Sequence, residues 1–288
     1  MNQSISKYLE LTKPKVTLLN LLVGVTCFLL AAFPAVDLLK LAVFAFVGYL
    51  AAGGCGVLNS VYDQDIDRLM DRTLKRAIPA GKVTTNKATA MGAIMIATSI
   101  AFSYFFFNML TGLMMILGTV FYLCVYTVWL KRISPWNVVI GGFAGCFAAL
   151  SGWTAAANGL SLMPLLVAML DFFWTPGHLW GLAIKKVKEY QKAGVPMLPV
   201  TIGITGASKI VFWLNVTTVA VSFFLLLSNL VGILYLAFAA TAGIGFLVQS
   251  GRLLASPSKA HGFKVFLFSM PYLTCLMLGL IIDKILLI

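Results

Sequence analysis

The chain is short of charge. Only 10% of its 288 residues are Asp, Glu, Lys or Arg, where a soluble domain carries roughly a quarter. Acids are scarcest, with nine Asp and Glu against 21 Lys and Arg. That shortage excludes a water-soluble globule. With 60% hydrophobic residues and a mean hydropathy of +0.97, it defines an integral membrane protein. Cysteine pairing is also missing. Cys27, Cys55, Cys124, Cys146 and Cys275 all fall in or beside apolar runs, and no two are spaced C-x-x-C. They read as small buried hydrophobes, which excludes a disulfide framework and a thiolate metal site. A cleaved leader is not expected either. The run from Val16 to Phe33 is longer than a signal core, and Lys13-Pro14-Lys15 before it fits a cytoplasmic start. The net charge of +12 lies in loops between apolar runs, so it reads as membrane topology and implies no nucleic-acid partner.

What is present is a series of nine apolar runs, at 16–35, 39–58, 88–107, 111–130, 136–156, 161–184, 208–228, 230–250 and 265–286. Each is close to the ~20 residues that carry a helix across a bilayer, and short charged loops separate them, so the expected fold is an all-α bundle of nine transmembrane helices in one domain. If the N-terminus lies in the cytoplasm, nineteen Lys and Arg fall on the cytoplasmic side and only Lys40 and Lys284 on the other. That bias places the C-terminus outside. The two longest loops, 59–87 and 185–207, are then both cytoplasmic, and long loops tend to carry function.

Four of the nine acids sit in one stretch, N-S-V-Y-D-Q-D-I-D-R-L-M-D-R-T-L-K-R, from Asn59 to Arg76. Asn59, Asp63, Asp67 and Asp71 recur every four residues, so a helix would project an amide and three carboxylates along one stripe, with Asp65 elsewhere. Like charges in a stripe repel unless a cation joins them. Mg2+ is the natural cation, being hard and usually held by carboxylates together with substrate phosphates. The interleaved Arg68, Arg72, Lys75 and Arg76 would bind the remaining phosphate oxygens. Metal plus arginines suits a diphosphate, stabilised as a leaving group. A solvated loop of mixed charge is the alternative.

Other polar points fall on the same side. Tyr126, Lys131 and Arg132 end the fourth run and read either as a third wall of that site or as a topology anchor. Lys185 opens the second long loop and is a further candidate for diphosphate binding. Glu189, the only acid in that loop, is a candidate second metal contact or a solvated side chain. The sixth run holds Asp171 and His178 at membrane depth, where ionisable residues are functional by default. Pro176 and Gly177 should kink or open the helix. His178, with Trp174 and Trp180 about it, could contact a flat aromatic ligand or be a hydrogen-bonded core histidine. Asp171 fits a structural polar pair.

These motifs resemble a known family. N-x-x-x-D-x-x-x-D resembles the first signature of the membrane-embedded UbiA-type prenyltransferases. D-Q-D-I-D-R-L-M-D-R-T-L-K-R from Asp63, T-P-G-H-L-W-G-L-A-I from Thr175 and E-Y-Q-K-A-G-V-P-M-L-P from Glu189 resemble its protoheme IX farnesyltransferase branch, over nearly the whole chain. The resemblance implies that farnesyl diphosphate is ionised with Mg2+ at Asn59, Asp63 and Asp67. A vinyl group of haem B then attacks, and water addition gives haem O. It implies His178 near haem, Arg72, Arg76, Lys131 and Arg132 near diphosphate, and a bacterial inner membrane. It also implies a downstream haem A synthase or terminal oxidase assembly as partner. The chain departs from the branch at Gly177 and Ala77, where proline is common, and at Glu189, where Asp is usual. A quinone-precursor prenyltransferase would need an acidic partner four residues from Glu189, and none is there. A cation-coupled transporter would need acids near the midplane, where only Asp171 qualifies.

Overall fold

A bilayer offers no hydrogen bonds to the backbone, so each crossing segment must satisfy its own. The computed structural model, which describes residues 3–228 and 230–286, does this with helices throughout, and among the described residues there is no strand. A short α1 (Gln3–Leu11) precedes α2 (Pro14–Ala32) and α3 (Leu38–Tyr62), and α4 (Gln64–Leu69) follows. α5 (Thr85–Phe102) runs into a π-helical turn, Ser103–Phe107. α6 (Met109–Val120) continues as a π segment, Phe121–Leu130. The next crossing is split into α7 (Asn137–Gly141) and α8 (Phe143–Ala157). α9 (Leu162–Lys185) is followed by the short α10 (Val187–Lys192) and α11 (Leu198–Thr201). α12 (Gly203–Phe224), α13 (Ile233–Ala255) and α14 (Lys259–Leu286) complete the bundle.

Among the described residues nine segments are long and apolar enough to cross a membrane, as the apolar runs predict. Several extend further than the runs: the second reaches Tyr62, the eighth Ala255, and the ninth starts at Lys259. The reason is that helices continue past the apolar run wherever polar residues can face the loop side. Phe105 and Ile233, each more than four-fifths exposed, face outward as lipid-facing side chains do.

α9 is the centre, with 61% of its apolar window buried, more than any other span. It packs on α8, α12 and α14, and α2 closes the ring between α3, α8 and α14. Lipid supplies no hydrophobic drive between helices, so close backbone approach matters. Gly152 of α8 has its Cα against the backbone carbonyl of Gly24 of α2, and no Cβ fits there. Two acids outside the main cluster cap helices: Asp37 accepts from Leu39 and Lys40 N–H at 2.9 and 3.0 Å, and Asp283 from Gly232 and Tyr235 N–H at 2.6 and 2.9 Å. Three cysteines are buried as expected, but Cys124 is exposed and Cys275 intermediate, because each lies on an outward helix face.

Candidate active site

α3 stops at Tyr62, yet the helical bonding carries through into α4, with Asp63 N–H donating to Asn59 O at 2.9 Å and Asp67 N–H to Asp63 O at 2.8 Å. Asn59, Asp63 and Asp67 therefore share one inward face, each no more than 5% exposed. Asp71 does not join them. α4 ends at Leu69, Met70 is extended (φ −112°, ψ 125°), and Asp71 is turned out to the surface. The expected four-residue stripe is thus three residues long. Asp65 lies off it and pairs with Arg132 through two bonds of 2.7 and 2.8 Å at the surface. That hydrogen-bonded guanidinium holds the Asp65 carboxyl below its usual range.

Each of the three inward side chains meets a cation through one oxygen. Arg76 binds Asp67 Oδ2 at 2.8 Å. Lys131 binds Asp63 Oδ2. Lys13 binds Asn59 Oδ1. The amide of Asn59 donates to Asp63 Oδ2 at 2.9 Å and to Thr127 Oγ1 at 3.0 Å. Lys13 and Thr127 are site residues that spacing did not reveal. Lys13 sits in a left-handed turn (φ 51°, ψ 60°) at the start of α2, a conformation that costs a non-glycine residue about 1 kcal/mol or more. Burial, with Arg76 and Lys131 close by, pulls its ammonium down to about 7. Thr127 faces the site because the segment that carries it is π-helical, a form often found at functional sites. Lys131 at its end also lies 5.8 Å from the Tyr126 ring. Tyr190 of α10 is buried beside Arg72, Arg76, Lys131 and Tyr126, and burial raises its hydroxyl.

Arg72 is exposed at the rim of this group, near Tyr126 and Tyr190. Arg68 and Lys185 are exposed, and Lys185 reaches over the Phe263 ring at 5.6 Å. Glu189 pairs with Lys186 at 2.5 Å, and its Oε2 is buried without a partner. Among the described residues no three His, Cys, Asp or Glu side chains converge to hold a metal by themselves. The donor set still fits Mg2+: it is all oxygen, and Asp63 Oδ1 is buried with no partner. Asn59, Asp63 and Asp67 would hold the ion, with substrate oxygens completing the shell.

Deeper in the bundle, α9 runs through Pro176 and Gly177 without interruption. A Cβ at Gly177 would fall on Asn215 Oδ1, so the proline common in the branch cannot stand here unless Asn215 moves. His178 stacks on Trp174 (4.3 Å, 17°) and packs against Phe266 of α14 at 4.5 Å. Trp180 does not flank it: it is 0% exposed and meets Trp136 edge-on at 6.0 Å. Asp171 is 4% exposed, and its carboxylate presses on Gly145 of α8 rather than on a polar partner.

The fold and this cluster define a polytopic membrane protein with one inward face on which Asn59, Asp63 and Asp67 meet Lys13, Lys131 and Arg76. The chain belongs to the UbiA prenyltransferase family, whose model matches residues 18–271. It is 37% identical over 280 residues to "Protoheme IX farnesyltransferase 1" of Cenarchaeum symbiosum, covering 96% of this chain and 94% of that one. It is 39% identical over 288 residues to "Protoheme IX farnesyltransferase" of Synechocystis sp., covering 99% and 90%. Its fold matches a UbiA homolog from Archaeoglobus fulgidus solved bound to DMAPP and Mg2+, with a TM-score of 0.69 and 18% identity over 94% of this chain and 99% of that one.

Proposed function

We propose that the protein transfers the farnesyl group of farnesyl diphosphate to a vinyl group of haem B, with addition of water, giving haem O and diphosphate. The observation that carries the donor half is the buried face of Asn59, Asp63 and Asp67, each bonded to a cation. The acceptor half is supported by the relatives' names and by His178 packed against the aromatic rings of Trp174 and Phe266.

Bound Mg2+ would supply charge neutralisation for the leaving diphosphate. The chain's own groups do the rest. When the carboxylates turn to a metal, Lys13, Lys131 and Arg76 are released to donate to diphosphate oxygens, and their fixed positions stabilise the charge that develops as the allylic C–O bond breaks. The farnesyl cation takes the electron pair of the vinyl group, water adds to the resulting haem-side cation, and one proton leaves. The surrounding helices exclude water from the first cation, which would otherwise be hydrolysed. We place this site on the cytoplasmic face of an inner membrane, on the strength of the Lys and Arg bias.

The test is the mass of haem extracted from membranes with and without the protein: a gain of one farnesyl group plus water is expected, and an unchanged haem would overturn the reading. EDTA should stop the conversion and Mg2+ restore it, assayed on washed membranes given farnesyl diphosphate. Undiminished activity in the chelator would remove the metal from the scheme.

A further inference from the structure

His178 is held more tightly than packing alone requires. Trp174 covers one ring face (4.3 Å, 17°) and Phe266 packs at 4.5 Å. Its Nδ1 lies 2.5 Å from Ser269 Oγ on α14. Ser269 has its own hydroxyl proton committed elsewhere, since Oγ donates to the carbonyl of Phe266 at 2.7 Å. A hydroxyl has one proton. With it spent on Phe266, Oγ can only accept from the imidazole, so Nδ1 carries the ring proton and Nε2 is a bare lone pair. Ser269 is itself fixed: it is 0% exposed, and its carbonyl accepts from Trp174 Nε1 at 2.9 Å. The same α14 residue thus clamps both the ring that stacks on His178 and His178 itself. Nε2 has no hydrogen-bond partner among the described residues, and it is not among the sealed polar atoms of the interior. With Trp174 stacked on it, Phe266 packed against it and Nδ1 anchored, the imidazole keeps Nε2 as its one free polar atom.

A neutral imidazole whose Nδ1–H is tied to an oxygen while Nε2 stays free is the form in which histidine binds metals, and the tying group sets tautomer and aim. We propose that Ser269 is a positioning residue that fixes His178 as the Nδ1–H tautomer, so that Nε2 ligates the iron of the haem substrate. This rests on the haem reading above. Ligation would hold the macrocycle through its centre and leave its vinyl edge free to turn toward the allylic cation.

The experiment titrates ferric haem B into purified full-length protein in nanodiscs and follows the Soret band and the low-temperature EPR spectrum. Wild type should give a saturable, shifted band with a nitrogen-ligated signal. His178→Ala should lose the shift. Ser269→Ala should keep the residue that ligates but weaken haem binding by about tenfold to a hundredfold and broaden the EPR signal. Ser269→Thr, which retains the hydroxyl, should restore both. Farnesyl diphosphate binding and the melting temperature of each variant report on folding. The inference is overturned if His178→Ala keeps the wild-type spectrum, if Ser269→Ala matches wild type, or if Ser269→Ala loses haem and farnesyl diphosphate binding together. Wild type that makes haem O with an unshifted Soret band also overturns it while leaving the function standing. Wild type that makes no haem O removes the function itself.

Discussion

At Asn59, Asp63 and Asp67 a carboxylate or amide oxygen meets an ammonium or guanidinium, and this pairing explains how a chain so poor in acid buries two carboxylates on one helix face. An unpaired buried charge costs several kcal/mol, and removing one partner exposes that cost. The pairs also make the site convertible, because a divalent ion can take the oxygens and free the cations for an anion. Lys13→Met should therefore lower farnesyl transfer by on the order of 10²-fold, the effect of losing one preorganised donor, while the protein still inserts and the thermal midpoint changes little; an unchanged rate would leave Lys13 a mere neighbour. Asp67→Ala should cost on the order of 10³-fold or more. Asp71→Ala should stay within about twofold, because Asp71 is a surface side chain away from the core. Equal losses at 67 and 71, measured on the same membranes, would contradict the end of α4 at Leu69.

That boundary shows what an element adds to a spacing. The four-residue recurrence of Asn59, Asp63 and Asp67 was legible because their helical bonding is local. Asp71 continued the pattern in sequence but not in space, since the bonding ends before the extended Met70. Lys13 looked like one more loop cation, and only the left-handed turn before α2 brings it to Asn59, a tertiary arrangement with no period to read. Thr127 was hidden for a related reason: the Phe121–Leu130 segment winds as a π-helix, so counting by 3.6 assigns its faces wrongly. Asp171 was visible as an anomaly, and its packing on Gly145 still gives it no chemical role. The α2–α8 crossing was equally silent, because nothing in the order of residues pairs Gly24 with Gly152. Gly152→Val should separate these helices and cost about 1–3 kcal/mol, the usual range for overpacking. It would be seen as a lower thermal midpoint in detergent without selective loss of farnesyl diphosphate binding. A wild-type midpoint would show that the crossing is loose.

Across the whole molecule, polarity is divided between two ends. The end with α1, α4, α10 and α11 holds the cation–carboxylate cluster, while at the opposite end, with its short loops, Asp37 caps α3, Asn108 caps α6 and Asp283 caps the start of α13. Capping side chains are committed to N–H groups and have little left for a ligand. The two ends also differ in charge, with nineteen Lys and Arg at the first and two at the second. The machinery that inserts helices reads that difference, retaining Lys- and Arg-rich loops inside. A diphosphate made in the cytoplasm would then meet its site without crossing the bilayer. Alkaline phosphatase fused after Ile288 should accordingly be active and green fluorescent protein at the same point dark, while fusions truncated after Lys192 should show the reverse. A dark phosphatase and a bright fluorophore after Ile288 would turn the molecule over, place the diphosphate site outside, and demand a route by which the donor leaves the cell interior.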